Sequence, residues 1–256
     1  MPPVRFVLLL VLLLACLCSS CRSTNQLLKA KPVPFSAFIE HPELMRDYRD
    51  RVPFHRIWST ADPAVRERAA KKTELYIAPV TLRYLRPLKK PMVRKEVELG
   101  SIDRREQEMA VKLRQAFAEA FDDANRARYY VCDSPNARSM TLELALVELN
   151  PTSPKGNAVK TAAKFVVGPL AGLGGILTKG NVAIEGKVRN SKTGELVCQF
   201  ADNEADRMTF YTLRDFRPYG HAEHAMKEWG QQFALFTRTP DGAPIQDTFC
   251  FTLDPR

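Results

Sequence analysis

Residues 181–201 read NVAIEGKVRNSKTGELVCQFA, and this stretch decides the fold. Val182, Ile184, Gly186 and Val188 fall at alternate positions, so they share one face of a strand over 181–189. Residues 195–201 are strand-like again. The connection NSKTG (190–194) supplies Gly194, which accepts a positive φ at little cost. The segment therefore predicts a β-hairpin. Just upstream, Met140, Leu142, Leu144 and Leu146 alternate with Thr141, Glu143 and Ala145, the period-two pattern of a half-buried strand. ARYYVCD (127–133) predicts a short strand that ends in a turn at Pro135-Asn136. ELYIAPVTLRYL (74–85) predicts a strand broken or bulged at Pro79.

Helices fill the intervals. Met109, Leu113, Ala116, Phe117, Ala120 and Phe121 recur at three- and four-residue steps, with Ser101 as the expected N-cap and Lys112, Arg114 and Glu119 on the opposite face. ADPAVRERAAKK (61–72) predicts a shorter helix with Asp62 as N-cap and Pro63 in its first turn. Ala222, Ala225, Met226, Trp229, Phe233 and Phe236 mark the buried stripe of a last helix over 221–236. Thr248–Leu253 predicts a closing strand, and 86–94 a basic, exposed loop. Strand, helix, strand, strand, hairpin, helix and strand give an α/β (α+β sandwich) class. Helices pack on a single mixed sheet in one domain over 35–256, with no repeat and no second core.

The chain has 256 residues, 45% hydrophobic and 26% charged. Such a chain buries about 70% or more of its unfolded surface, which excludes wholesale disorder, a collagen-like rod or a disulfide-dependent scaffold. Lysine and arginine number 38 against 29 acids, a net charge of +9. A solubilising surface is the plain reading of that excess. At a membrane it would also attract phospholipid phosphates, lipopolysaccharide or a polyanionic wall.

Location is written in MPPVRFVLLLVLLLACLCSSC (1–21). Arg5 precedes an unbroken apolar run from Phe6 to Leu14, too short for a membrane span but suited to a signal-peptide core. Leu13-Leu14-Ala15-Cys16 resembles the bacterial lipobox, in which branched and small residues precede a cysteine that takes diacylglycerol. Cys21, behind Cys18-Ser19-Ser20, is the alternative. Residues 1–15 are then a lipoprotein signal peptide and 16–34 a lipidated tether, with several acyl chains (palmitate among them) giving stable anchoring. Leu17, rather than aspartate, follows Cys16, the sorting pattern of an outer-membrane protein facing the periplasm. A nucleic-acid partner does not fit such a location. Phe35, Phe38 and Ile39 in PFSAFIEHPELM are spaced to dock on the core.

Candidates for chemistry are sparse, and the sequence implies no cofactor, no metal and no evident small-molecule substrate. AAKFVVGPLAGLGGILTKG (162–180) lacks the Gly-Lys-Ser/Thr of a phosphate loop. Its Phe165, Val166, Leu170, Leu173, Ile176 and Leu177 are instead a candidate membrane or partner contact, set against a self-packed crossover. His221 and His224 lie three apart, and Asp202, Glu204 and Asp206 alternate after the hairpin. A periplasmic metal-dependent or hydrolytic enzyme would use these, whereas exposed histidines and a solvated strand edge are the plainer reading. Cys132, Cys198 and Cys250 are widely spaced and read as buried thiols, with one disulfide among them left open.

Several of these segments in order carry a family resemblance. They are the lipobox, FSAFI (35–39), ELYIAPVTL (74–82), the long helix, VAIEG (182–186), SKTGEL (191–196) and Lys227-Glu228-Trp229. Together they resemble the bacterial lipoproteins grouped as domain of unknown function 3313, over roughly 35–237. The resemblance implies a lipid-anchored, periplasm-facing α/β domain akin to the N-terminal domain of TolB; the anchor and tether themselves lead us to expect a non-catalytic domain that binds another envelope component (a protein, lipopolysaccharide or the cell wall). The resemblance implies no catalytic activity. The chain departs from the pattern at Ala37, in place of glycine, and in its extension beyond residue 238.

Overall fold

The computed structural model describes residues 32–47, 52–87, 99–122, 127–151, 181–205, 219–240 and 243–245. Within them, in chain order, are β1 (Arg56–Ser59), α1 (Pro63–Ala70), β2 (Glu74–Ile77), α2 (Leu99–Asp122), β3 (Tyr130–Cys132), β4 (Ser139–Asn150), β5 (Asn181–Asn190), β6 (Leu196–Ala205) and α3 (Gly220–Arg238). The six strands form one open sheet in the order β1-β6-β5-β4-β2-β3. β2 runs parallel to β3 and β4, and the remaining pairs are antiparallel, so the sheet is mixed as expected. The predicted strand over 248–253 lies outside the described residues.

The β5–β6 hairpin forms as read, with Gly194 at φ 74°. Gly186 leaves the space on the sheet that the ring of its cross-strand partner Phe200 fills. β2 stops before Pro79, where Ala78 N–H donates to Leu142 O, and pairing with β4 resumes beyond the proline, where Thr81 N–H donates to Leu144 O, each at 2.9 Å. Asp62 caps α1 by accepting from the Ala64 amide at 2.8 Å. α2 begins at Leu99, so Ser101 sits inside the helix rather than at its cap. The apolar stripes of α2 and α3 close over one sheet face. There Leu113, Phe117, Phe200, Trp229 and Phe233 are almost fully buried, joined by Leu75 and Leu142 from the strands.

Three further features differ from the reading of the sequence. β1 (RIWS) is a strand too short for alternation to reveal, and it takes its place by pairing with β6. β4 is not half-buried, because Ala145 and Val147 on its second face are covered as fully as the leucines on its first. The expectation of no second core gives way to a smaller cluster on that second face. Phe38, Ile39 and Met45 pack there on Ala145, Val147 and Ala183. The docking read into PFSAFIEHPELM is real, and its seat is the sheet face away from the long helices.

Candidate functional site

Residues 34–46 form a strap across the second sheet face. A side chain there must either be apolar or find a partner, because the strap shuts out water. Glu185, 2% exposed, accepts the Ser36 amide at 2.7 Å and the Ser36 hydroxyl at 2.5 Å. Gln199 accepts the Glu40 amide and donates to His41 O, both at 3.2 Å. Lys187 meets Glu40 at 3.0 Å and Glu143 at 3.2 Å, with its ammonium 4.2 Å from the centre of the Phe38 ring. Arg189 also binds Glu40, and Arg86 donates to the carbonyl of Pro34. The alternate residues 185, 187 and 189 of β5, polar where the other face is apolar, are thus the fasteners of the strap.

Burial pushes the Glu185 carboxyl above its ordinary value, and the two bonds from Ser36 only partly oppose this. Burial works in the same direction on Glu40, but Lys187 and Arg189 override it and hold Glu40 below the usual range. A carboxyl raised in the folded state binds more protons there than in the unfolded chain. The fold therefore loses stability as pH rises from the ordinary glutamate value of 4.5 to the folded pKa of Glu185, and levels off above it. Glu185→Gln is expected to flatten that part of the pH–stability curve while keeping the strap seated. Glu185→Ala leaves the Ser36 amide without an acceptor, at a cost of about 1–3 kcal/mol, and should make 32–46 the first site cut in limited proteolysis. A strap equally resistant in Glu185→Ala would show that its apolar residues alone hold it.

Asp202 and Glu204 are not on a solvated edge. They lie just beyond the 198–201 stretch of β6 that pairs with β1, and they are 5% and 8% exposed. Asp202 accepts the Trp229 indole N–H at 2.7 Å and the His55 amide at 3.3 Å, and His55 Nδ1 hydrogen-bonds Asn203. Asp206 lies outside the described residues. His221 and His224 stand on the first turns of α3, where His224 Nε2 is 3.3 Å from Glu228 one turn on. Among the described residues no three His, Cys, Asp or Glu side chains converge at metal-ligating distance. His55 and Asn203 are the functional-looking polar residues that pattern reading passed over, and their bonding ties the residue that leads into β1 to β6.

Cys132 and Cys198 are free thiols. Burial raises the pKa of both, that of Cys198 to about 12, and the Glu74 carboxylate adds to the rise at Cys132, so neither is a ready nucleophile. Cys250, the lipidation candidates Cys16 and Cys21, and the contact candidates Phe165, Val166, Leu170, Leu173, Ile176 and Leu177 lie outside the described residues. No helix among the described residues is long and apolar enough to cross a membrane.

A cleft of about 920 Å³ opens on the helix-covered side, between α1 and the C-terminal end of α3. Val52, Val188, Val197, Phe233, Phe236 and Ile245 line it, with Arg66, Glu67 and Arg128 among the charged residues of its wall. A second, much smaller hollow of about 10 Å³ lies under the strap between Pro34, His55 and Glu185, room for roughly one water molecule.

No curated protein matches the chain. Among solved structures it is similar to a PelC dodecamer from Paraburkholderia phytofirmans, at 8% identity and a TM-score of 0.37 over 70% of this chain and 95% of that one. It is also similar to the hypothetical protein CT253 from Chlamydia trachomatis, at 8% identity and a TM-score of 0.35 over 65% of this chain and 98% of that one. Likeness of this degree carries nothing about what the chain does. The sequence itself is more specific: the model of the family described as "Protein of unknown function (DUF3313)" matches residues 58–233, well over half of the chain, which therefore belongs to that family.

Proposed function

We propose that this protein is a lipid-anchored component of the bacterial envelope, held at the outer membrane and facing the periplasm, whose single non-catalytic domain binds another envelope component. The observation that carries the reading is the strap. The chain that follows the leader and tether is fastened to the sheet by Arg86 at Pro34 and, from Ser36 onward, by Glu185, Lys187, Arg189 and Gln199. An acyl group on Cys16 would then hold the folded body through about 17 residues of tether, a reach of at most about 60 Å. Within that radius the domain meets its partner at a raised effective concentration, so a modest binding surface suffices.

Metabolic labelling of producing cells with a fatty-acid analogue tests the anchor. Wild type and Cys21→Ser should take up label and partition with membranes, and Cys16→Ser should lose both properties. Label surviving in Cys16→Ser but not in Cys21→Ser would move the lipid to Cys21. An unlabelled wild type that retains Met1 overturns the anchor altogether. Crosslinking in intact cells, followed by capture of the labelled form, then identifies the partner.

A further inference from the structure

We propose that the cleft between α1 and the C-terminal end of α3 binds an amphiphile with a single acyl chain and an anionic head, the chain lying in the apolar trough and the head against Arg128. At about 920 Å³ the cleft falls within the range of ligand pockets, about 300–1,000 Å³. Its walls have the composition such a site needs. Val188 and Cys198, paired across β5 and β6, line it from the sheet, and Phe233 and Phe236 from α3. Val52, Val197 and Phe236 remain only partly buried, so apolar surface is left facing the opening.

The charge at the wall fixes the sign of the head. Glu67 is the carboxylate among the described wall residues, and Lys71 neutralises it at 2.6 Å and holds its pKa below the ordinary value. The Arg128 guanidinium donates to the carbonyls of Lys72 (2.9 Å) and Ala70 and lies 4.8 Å from the centre of the Tyr129 ring. Carbonyls and a ring face hold the guanidinium in place without cancelling its charge, and among the described residues it has no carboxylate partner. A guanidinium so fixed beside an apolar trough is a receptor for a carboxylate or phosphate whose tail seeks the trough.

Native mass spectrometry of the full chain, released from detergent and titrated with palmitate or with the uncharged hexadecanol, tests this independently of whether Cys16 carries lipid. Wild type is expected to hold one palmitate and to prefer it to hexadecanol by about tenfold or more. Val197→Trp, which fills the trough, should weaken palmitate binding by about tenfold or more, with Thr237→Trp at the α3 wall as the second variant if the first does not fold. Arg128→Gln should retain hexadecanol but lose the preference for palmitate. The proposal is overturned if wild type takes no palmitate, takes it without a one-to-one limit, or binds it as well after the trough is filled. Equal binding of palmitate and hexadecanol overturns the assignment of the head. Binding seen only in a chain cut after Ile245 would make residues 246–256 the occupant and overturn the proposal as well.

Discussion

Gly230→Ala is expected to destabilise the protein by about 1–2 kcal/mol, and Gly230→Val by about 3 kcal/mol or more, in urea melts followed by circular dichroism. Helix propensity alone predicts the opposite sign, because alanine in a helix interior is favoured over glycine by about 1 kcal/mol. Space decides the outcome. A Cβ at position 230 of α3 would stand 2.5 Å from the carbonyl oxygen of Ala116 and 3.2 Å from the Cα of Phe117, both backbone atoms of α2. No rotamer relieves that contact, so the two helices must move apart. Separating them loosens the ring contacts that join them, Phe117 to Phe233 at 5.7 Å and Phe121 to Phe233 at 6.1 Å between centroids. A gain in stability for Gly230→Ala would mean the helix crossing yields freely.

The second large effect is at Asp202. Asp202→Ala is expected to cost about 3–5 kcal/mol, because it leaves the buried Trp229 indole N–H and the His55 amide without their acceptor. Asp202→Asn keeps an acceptor for one of the two and should cost less. Trp229→Phe removes the indole donor while preserving most of the apolar volume, so the double variant Asp202→Ala/Trp229→Phe should fall well short of the sum of its parts. Strict additivity in that cycle would show that the 2.7 Å bond contributes nothing of its own.

Much of this architecture is legible from residue order because it rests on periodicity. The α2 and α3 stripes, the alternation in β4 and β5, Asp62 at its cap and Gly194 in its turn are local signals, and the structure places each as its spacing predicts. Non-local features are what pattern reading misses. β1 is four residues long, and it is a strand because β6 offers it an edge. Asp202 and Glu204 read as a wet edge, yet both are buried, and Asp202 is bonded by Trp229 and His55 from distant parts of the chain. Ala145 and Val147 look solvent-facing because the segment that buries them lies about a hundred residues earlier. The cleft is less legible still. Its walls come from α1, five strands, α3 and the residues beyond it, and no single stretch carries its signature.

The strap also sets the order in which the molecule can be completed. Ser36 and its acceptor Glu185 are 149 positions apart, so a chain emerging from the ribosome at ordinary speed exposes Phe38 and Ile39 on the order of ten seconds before their seat exists. Until β5 and β6 are made, those side chains are open to aggregation and to capture by chaperones. Closing the last face is then a long-range event that comes late in maturation, well after the local helices are able to form.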